Sequence, residues 1–573
     1  MKVTDYLVHF FLSQGVKVVF GYQGGMITHL VDSISLSPDI RFVQTYHEQS
    51  AAIAAEGYAR ESGVIGVVIS TSGPGATNMV TGIANAYYDS IPVLYITGQV
   101  NSYEYKYAKK VRQVGFQETD IVSIVKPITK YAVMISDPRK VQGEFEKAVS
   151  IALSGRKGPV LIDLPMDVQR ADIVIRPAKV IETKSVVVRR KRFDKAWNVF
   201  CSAKRPLVLC GGGIASSGST FSVNVFLEKS RVPFVVSLMG KGTVDETLEN
   251  FIGMIGSYGN RDANIILSKA DMVLVLGSRL DLRQTGNKTS DLLKKIKFIH
   301  IDIDSQELKE SRLPNTMNVR GEIGAFMDFV HSSISEFSIN SSWLEFLSQI
   351  RQKYNQEQEL RRFVVNKAPY ECIDAIQTRC STATVYTVDI GQNQMWAAQK
   401  LALKRNDSFY TSGGLAPMGY ALHSAIGVAF ASPAKQVVCI IGDGGFHIAL
   451  QSLMLITQYK LRISVCVFNN HALGMITQFQ ELYFKSNMAG TTKDGGYIVP
   501  DIASLAKAFS LSYRLCSERD LCNIDIRDYG IVEFVLSGQT KVSPKLEYNQ
   551  PLFNMIPYLD KQEIDLIISE LPQ

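Results

Sequence analysis

The chain has 573 residues, of which 46% are hydrophobic and 20% are charged, and its formal net charge is +7. This length exceeds a single hydrophobic core and predicts roughly three or four domains. The basic residues are dispersed except for the cluster 189–192, which we interpret as a solvated linker, so nucleic-acid binding is not indicated. No apolar run reaches the roughly 18 residues that cross a bilayer, and the N-terminus is unlike a signal peptide. With eight scattered cysteines and no Cys-x-x-Cys, we predict a cytoplasmic protein with reduced thiols.

Strands alternate with helices along the first third of the chain. The patterns predict helices over 4–14 and 50–62 and strands over 17–20, 40–45, 64–70 and 93–97. This alternation is typical of a doubly wound parallel sheet, which binds ligands at the carboxyl ends of its strands. At two such ends the interpretation stays open. Gly24-Gly25 is a bare turn or a ligand contact, and Glu48 is a catalytic carboxylate or an acid that complements a helix dipole.

The middle third shows the same alternation. Strands are predicted over 206–210, 234–237, 272–276 and 298–303, and the glycines 211–213 follow the first of them. A glycine-rich turn between strand and helix is typical of a nucleotide site, but three glycines alone are a weak signal. A serine-rich stretch over 332–342 is predicted to be a linker, and 343–364 has helical spacing.

The last third contains the pattern that carries most chemistry. A buried strand over 437–441 precedes Gly442-Asp443-Gly444-Gly445, and the strand-like stretch 461–470 ends in Asn469-Asn470. Gly444 and Gly445 allow backbone N–H groups to approach a phosphate at a helix start. Asp443 and Asn470 are hard oxygen ligands of the kind that suits Mg²⁺ beside phosphates. Gly-Asp-Gly by itself is weak evidence and favours a tight turn that binds nothing.

Together with Asn469-Asn470, this pattern resembles the thiamine diphosphate and Mg²⁺ motif of thiamine-dependent decarboxylases and carboligases. Residues 46–52, 56–60, 71–78, 89–92, 116–118 and 154–160 resemble acetolactate (acetohydroxyacid) synthases. The resemblance extends to about residue 560. It implies an α/β protein with three doubly wound parallel-sheet domains and a tail. These are a pyrimidine-binding domain (1–175), a central Rossmann-like domain for FAD or another nucleotide (190–335), a diphosphate-binding domain (365–545) and the C-terminal tail (546–573).

The resemblance also implies roles for individual residues. Glu48 would hydrogen-bond N1′ of the thiamine ring and share a proton with it, beside Gly25, Phe116 and Gln117. Mg²⁺ would be bound by Asp443, Asn470 and the carbonyl of Ala472. Thiamine diphosphate contacts would be Ile390, Gly391, Gln392, Asn393, Ala416, Met418, Gly444 and Gly445. FAD contacts would be Arg156, Gly211, Gly212, Gly213, Ser237, Leu238, Asp302 and Glu322. Arg283, Met475 and Phe479 would face the substrates.

The activity implied is decarboxylation of a 2-oxo acid, expected to be pyruvate, and transfer of the acyl carbanion equivalent to a carbonyl acceptor. Glu48 and Asp443 meet across a subunit interface in the family, which implies a homodimer or a homotetramer. The chain departs from the family at Gln23, Met166, Ser257-Tyr258 and Phe479, all near the acceptor side. Two acceptors therefore stay open: a second pyruvate, which Arg283 favours, and a nucleotide-linked keto sugar, as in branched-sugar biosynthesis.

Other classes explain less of the sequence. A flavin oxidase of the pyruvate oxidase type would share most motifs and would release hydrogen peroxide and acetyl phosphate. A plain Rossmann dehydrogenase accounts only for the glycines 211–213. A non-catalytic regulatory protein and a glyoxylate carboligase are disfavoured by Glu48, which the second of these branches lacks.

Overall fold

The computed structural model describes residues 1–174, 176–177, 179–181, 190–287, 291–333, 337–380, 383–517, 526–527 and 529–569. Its strands form three six-stranded sheets, one in each third of the chain. The strand pairs within these sheets are parallel. The α/β class and the three parallel sheets expected from the sequence are therefore confirmed.

The strands of the first sheet are β1 Val18–Tyr22, β2 Arg41–Gln44, β3 Gly66–Ser70, β4 Val93–Gln99, β5 Tyr131–Met134 and β6 Val160–Pro165. Those of the second are β7 Pro206–Cys210, β8 Phe234–Val236, β9 Phe251–Met254, β10 Met272–Leu276, β11 Lys297–Asp302 and β12 Thr316–Arg320. Those of the third are β13 Val385–Val388, β14 Ser408–Tyr410, β15 Val437–Gly442, β16 Ile463–Asn469, β17 Tyr513–Cys516 and β18 Ile531–Val535.

Strand order distinguishes the central sheet from the other two. The first sheet has the order β2-β1-β3-β4-β6-β5 and the third β14-β13-β15-β16-β18-β17, which is the same order when strands are counted within each sheet. The central sheet is β12-β11-β10-β7-β8-β9, the arrangement of dinucleotide-binding folds. Each sheet has a switch point, at β1/β3, β7/β10 and β13/β15, where ligands bind in open α/β sheets.

Helices cover the sheets and connect the strands. In the first third they are α1 Val3–Ser13, α2 Thr28–Ser35, α3 Glu48–Ser62, α4 Pro74–Asn78, α5 Val80–Asp89, α6 Ile121–Val125, α7 Val141–Leu153 and α8 Met166–Arg170. In the middle they are α9 Arg190–Cys201, α10 Gly213–Ser216, α11 Thr220–Ser230, α12 Arg261–Lys269, α13 Leu282–Thr285, α14 Asp291–Lys295, α15 Ser305–Lys309, α16 Ile323–His331, α17 Ser341–Tyr354 and α18 Gln356–Phe363.

The last third contains α19 Ala368–Arg379, α20 Gln392–Lys400, α21 Tyr420–Ala431, α22 Asp443–Ile448, α23 Leu453–Tyr459, α24 Gly474–Tyr483, α25 Ile502–Ala508 and α26 Lys561–Ser569. Within the described part of the chain, none of these helices is long and apolar enough to cross a membrane.

Helices α3 and α21 join the first sheet to the third through a very close contact. A Cβ atom on Gly427 would lie 1.7 Å from the carbonyl oxygen of Ala54, and one on Gly57 would lie 2.3 Å from that of Ser424. Such distances leave room for glycine alone. The alanine-rich sequence of α3 is explained by this packing, because the small side chains let α3 lie buried between two domains.

Three local expectations differ from the structure. Helix α9 begins at Arg190, so most of the basic cluster is helical rather than a linker, while position 189 lies outside the described residues. The helical stretch 343–364 is divided at Asn355, whose side chain accepts a hydrogen bond from the N–H of Gln358 and begins α18. The predicted linker 332–342 ends as α17 begins at Ser341, and 334–336 are not described. The domain boundaries stay predictions.

Candidate active site

The first part of the site lies at the switch point of the third sheet. Helix α22 begins directly after β15, and its first turn contains Asp443, Gly444 and Gly445. A Cβ atom on Gly445 would lie 1.8 Å from Oδ2 of Asp389, and one on Gly444 would lie 2.8 Å from Cε of Met418. Both glycines are therefore required by their neighbours, and Met418 lies against this turn.

Asp443 is almost completely buried, and only one of its carboxylate oxygens is satisfied. Oδ1 accepts hydrogen bonds from the N–H of Gly444 at 2.7 Å and from the hydroxyl of Tyr497 at 3.1 Å. Oδ2 has no partner among the described residues. Burial raises the pKa of Asp443 to about 6, although the hydrogen bonds from Tyr497 and Gly444 oppose the rise. A buried carboxylate oxygen without a partner requires an explanation, and a bound cation supplies one.

Asn470 lies at the end of the adjacent strand. Its Nδ2 donates to Oε1 of Gln392 at 3.1 Å, and its Oδ1 accepts from the N–H of Ala472 at 3.3 Å. No cluster of three or more acidic, histidine or cysteine ligands occurs in the part of the chain that the structure describes. This donor set fits Mg²⁺, which binds to one or two protein carboxylates and completes its coordination with phosphate and water oxygens.

Asp389 is a functional candidate that the sequence analysis did not single out. It is buried at the end of β13, and its two oxygens accept from the N–H groups of Gly419 and Ala421 at 3.0 Å each. Burial raises its pKa to about 7, against the opposing backbone hydrogen bonds from Ala421 and Gly419. Asp389 thereby connects the loop that carries Ala416 and Met418 to Gly445. The sequence feature that could have identified Asp389 is its position as an acid at the end of the apolar strand β13.

The other predicted contacts of this region surround the same strand ends. Gly391 caps helix α20, whose first turn contains Gln392 and Asn393, both buried. The side-chain amide of Asn393 donates to the carbonyl of Asp389 at 2.8 Å. Ala416 has a φ of 62° and is held by a hydrogen bond of 2.9 Å from its N–H to Oγ of Ser412. The structure therefore brings the predicted diphosphate and metal residues together around β13, β15 and β16.

The second part of the site surrounds Glu48, which is 7% exposed in the first turn of α3. Its Oε2 accepts a hydrogen bond from Nδ2 of Asn78 at 3.0 Å. A Cβ atom on Gly75 would lie 3.2 Å from Oε1. An acid that only complements a helix dipole has no need of burial or of a partner on another helix. Asn78 belongs to the motif 71–78, whose pattern assigns it no role of its own.

Gly25, Phe116 and Gln117 are the other residues predicted to lie beside Glu48. A Cβ atom on Gly25 would meet nothing within 4 Å, and Phe116 is 79% exposed. Gln117 has a φ of 63° and lies against Gly73, 3.1 Å from the position of a Cβ there. Gln117 therefore lies beside the start of α4, the helix that carries Gly75 and Asn78.

The described contacts of Glu48 all lie in the first domain, and those of Asp443 all lie in the third. No hydrogen bond among the described residues joins the two groups. We call these two groups half-sites, because the described contacts of each stay within its own third of the chain.

Comparison with known proteins decides which family has this arrangement. Residues 1–124, 193–330 and 389–524 match the N-terminal TPP binding domain, the central domain and the C-terminal TPP binding domain of thiamine pyrophosphate enzymes. A probable acetolactate synthase large subunit of Methanocaldococcus jannaschii is 35% identical over 554 residues, which cover 94% of this chain and 90% of that protein. The chain belongs to the thiamine pyrophosphate enzyme family.

Two further relatives have the same description. The acetolactate synthase isozyme 2 large subunit of Escherichia coli K12 is 32% identical, covering 91% of this chain and 92% of that protein. The acetolactate synthase large subunit of Lactococcus lactis is 34% identical, with coverages of 87% and 85%. These matches confirm the resemblance to acetolactate synthase catalytic subunits. Thiamine diphosphate is the cofactor of this family, and Mg²⁺ and FAD are typical of such members.

The central sheet fits the nucleotide part of FAD. Cβ atoms on Gly211 and Gly213 would lie 2.2 Å from the oxygen and 2.7 Å from the Cα of Gly277, so the turns after β7 and β10 touch at the switch point. Asp302 ends β11, and Glu322 precedes α16. Two carboxylates at neighbouring strand ends suit the hydroxyl groups of a ribose.

Arg156 has different neighbours from those expected of a FAD contact. Its guanidinium lies 3.1 Å from a carboxylate oxygen of Asp304 and 2.6 Å from one of Glu307, and its Nε donates to Oγ of Ser90. These contacts join the first domain to the central domain. A cofactor phosphate at Arg156 would have to compete with the two carboxylates.

A narrow cleft lies between the central and third domains. Its lining combines apolar side chains with charged ones, namely Leu238, Met239, Met254, Ile255, Ser257, Tyr258, Arg279, Asp281, Arg283, Gln284, Met395 and Gly413. Ser237, just before this lining, accepts a hydrogen bond from the N–H of Gly240. Met475 packs against the hydrophobic core, and Phe479 is 46% exposed beside Tyr483, with 4.8 Å between their ring centres.

Proposed function

We propose that the protein is a carboligase that uses thiamine diphosphate and Mg²⁺ to decarboxylate pyruvate and to join the remaining two-carbon unit to a carbonyl acceptor. The observation that carries this proposal is the buried Oδ2 of Asp443, which has no protein partner among the described residues and lies beside Gly444 and Gly445. Relatives named as acetolactate synthase large subunits support the choice of donor.

At the diphosphate end, Asp443, Asn470 and the carbonyl of Ala472 would bind Mg²⁺. Asp443 would bring its unpartnered oxygen and Asn470 its amide oxygen. The backbone at Ile390 to Asn393, together with Gly444 and Gly445, would bind the diphosphate. Met418 would press against the middle of the cofactor, and the carbonyl of Ala416 would accept from its amino group. Bound thiamine diphosphate supplies a nucleophilic carbon and an electron sink.

At the pyrimidine end, Glu48 would hold and return the proton at N1′. Asn78 donates to Oε2, which leaves Oε1 for the ring nitrogen, and Gly75 allows the ring to approach because it lacks a side chain. Gly25, Phe116 and Gln117 would close the open side of the pocket around the substrate. Exclusion of water there prevents the reacting carbon from being protonated before the acceptor arrives.

The active unit in this proposal is a homodimer, or a homotetramer built from such dimers. The two half-sites of one chain have no described contact, so Glu48 of one subunit would meet Asp443 of another across a two-fold interface. Mixing a Glu48→Gln protein with an Asp443→Ala protein tests this. Random reassociation would restore roughly a quarter of wild-type activity, because half of the dimers would contain one intact site. Assembly of the site within one chain predicts no recovery.

Arg283 would bind the carboxylate of a 2-oxo acid, with Met475 and Phe479 beside it. Arg156, the glycines 211–213, Ser237, Leu238, Asp302 and Glu322 would hold FAD, for which we propose no redox step. We further propose a cytoplasmic enzyme, because the cysteines within the described residues are free thiols and a reducing compartment keeps them so.

The test is an assay of the purified protein with pyruvate, thiamine diphosphate and Mg²⁺. We expect CO₂ release that requires both cofactors, is removed by EDTA and is lost in the Glu48→Gln variant. Oxygen-dependent hydrogen peroxide and acetyl phosphate would show an oxidase instead. A protein that binds the cofactor but releases no CO₂ from pyruvate would contradict the proposal.

A further inference from the structure

A basic, tyrosine-rich loop follows strand β4 and leads to Gln117. Residues 101–118 contain four basic side chains, which are Lys106, Lys109, Lys110 and Arg112, and three tyrosines at 103, 105 and 107. Tyr103 is 70% exposed and Tyr107 is 53% exposed. The proposed reaction uses Phe116 and Gln117 at the end of this loop, but none of its basic or tyrosine side chains.

The shape of the loop is fixed by Glu118, whose side chain is buried. Its carboxylate accepts from the backbone N–H groups of Lys106 at 3.0 Å, Val114 at 2.7 Å and Gly115 at 3.2 Å. The side chain of Gln113 also donates to the carbonyl of Glu118 at 3.0 Å. A buried carboxylate that holds both sides of a loop costs free energy unless all these bonds form. The loop therefore has a defined conformation. We call residues 101–118 the platform.

The four basic side chains of this platform outnumber its two acids, Glu104 and Glu118. Lys109, Lys110 and Arg112 are exposed, and none of the four basic side chains forms an ion pair with a described residue. Glu104, an acid of the same loop, is turned back to cap Asn101, which donates to it at 2.8 Å. The platform thus carries a net positive charge at an exposed surface, which attracts anions.

The loop begins beside helix α8 and ends beside the pocket of Glu48. At its end, Gln117 lies against Gly73, two residues before Gly75, which borders Oε1 of Glu48. At its start, the N–H of Ser102 donates to Asp167 at 2.8 Å, next to Met166. The cationic tip extends from there towards solvent. A large acceptor with its carbonyl carbon in the pocket would place its remote part on this tip.

We propose that the platform binds the nucleoside diphosphate of an acceptor that is a nucleotide-linked keto sugar, an inference that rests on the proposed function. Lysine and arginine bind phosphate oxygens through charge-assisted hydrogen bonds, and exposed tyrosines stack on nucleobases. A small 2-oxo acid carries one carboxylate, for which Arg283 suffices, and it would leave four cations without a role.

The reaction balances with pyruvate as donor. Pyruvate loses CO₂, a bond forms between its former keto carbon and the keto carbon of the sugar, and the sugar oxygen takes up a proton. One pyruvate, one proton and one keto sugar become one CO₂ and one branched sugar that carries an acetyl group and a tertiary alcohol.

Calorimetry on the holoenzyme with UDP, CDP, GDP and dTDP as probes tests the platform. We expect at least one to bind, and the triple variant Lys109→Ala/Lys110→Ala/Arg112→Ala to bind it about tenfold more weakly or worse. The matched control Lys191→Ala/Arg192→Ala/Lys195→Ala removes the same residue types from exposed positions of α9 and should bind as the wild type does. CO₂ release from pyruvate should be unchanged in both variants.

Each other outcome has a defined meaning. Wild-type enzyme that releases CO₂ from pyruvate but binds no nucleoside diphosphate overturns the platform and leaves the proposed function standing. Wild-type enzyme that releases no CO₂ from pyruvate contradicts the proposed function itself, whatever the calorimetry shows. Inorganic pyrophosphate that binds as tightly as the nucleotides reduces the platform to an anion site and contradicts nucleotide recognition. A triple variant whose mass by light scattering differs from wild type identifies the loop as a subunit contact instead.

Discussion

The first and third sheets have the same strand order but carry different chemistry at their switch points. At β13/β15 two acids, Asp389 and Asp443, lie among glycines, and their oxygens are satisfied except for Oδ2 of Asp443. Near β1/β3 one acid, Glu48, is held by a single described side-chain bond, from Asn78. Topology therefore sets where a ligand binds, while residue type decides whether that end binds a cation or moves a proton.

The largest effect should come from removing the cation ligand. Asp443→Ala takes away the unpartnered oxygen, so Mg²⁺ and the diphosphate should no longer be held and activity should fall about 10⁴-fold or more. Activity and cofactor binding measured against Mg²⁺ concentration would check this. Asp501→Asn, on an exposed acid that caps α25 in the same domain, is the control and should behave as wild type. Full activity in Asp443→Ala would show that the switch point of the third sheet does not bind the cation.

The proton-handling end should fail in a different way. Glu48→Gln keeps the size and burial of the side chain but cannot exchange a proton, so decarboxylation should fall by about 10² to 10⁴-fold. Binding of thiamine diphosphate and Mg²⁺ should be nearly unchanged, because those residues belong to the other sheet. Fluorescence titration of the cofactor beside stopped-flow measurement of CO₂ would separate the two effects. Equal losses in binding and rate would show that Glu48 supports structure instead.

A change that crowds Asp389 should have an intermediate effect on cofactor binding. Gly445→Ala would place a methyl group 1.8 Å from Oδ2 of Asp389 and should displace the loop that carries Met418. Overpacking of this kind costs about 1–3 kcal/mol, which corresponds to roughly fivefold to a hundredfold weaker cofactor binding. Gly143→Ala is the matched control, because a Cβ there meets nothing within 4 Å. Thermal unfolding and cofactor titration of both variants would show whether only Gly445→Ala loses stability and cofactor affinity.

The smallest effect is expected from the partner of Glu48. Asn78→Ala removes one hydrogen bond to a buried carboxylate, and the turnover number should fall by about tenfold. The cofactor affinity should stay the same, since Asn78 belongs to the first third of the chain and the diphosphate residues belong to the last. A loss of affinity without a loss of turnover would mean that Asn78 orients the cofactor and not Glu48.

Local pattern explains why much of the fold could be predicted. Strands β7 and β10 have the predicted bounds 206–210 and 272–276, because a buried parallel strand is a short apolar run between turn residues. Reliance on local pattern also makes the linker prediction wrong for 190–192, which lie in α9. Charge indicated a linker, but Phe193, Ala196 and Trp197 bury one face of α9 in the central core, and a window of four residues does not contain that face.

The sequence by itself determined the three α/β units and the residue types of both half-sites. Strand periodicity and ligand type both depend on residues that are close together in the chain. Only the tertiary structure decided what those residues meet. It placed Asn78 on Glu48 and paired Arg156 with Asp304 and Glu307. It also left one oxygen of Asp443 without a partner in the described chain. Such contacts join residues up to 151 positions apart, and they arise from how helices and sheets pack rather than from any local pattern.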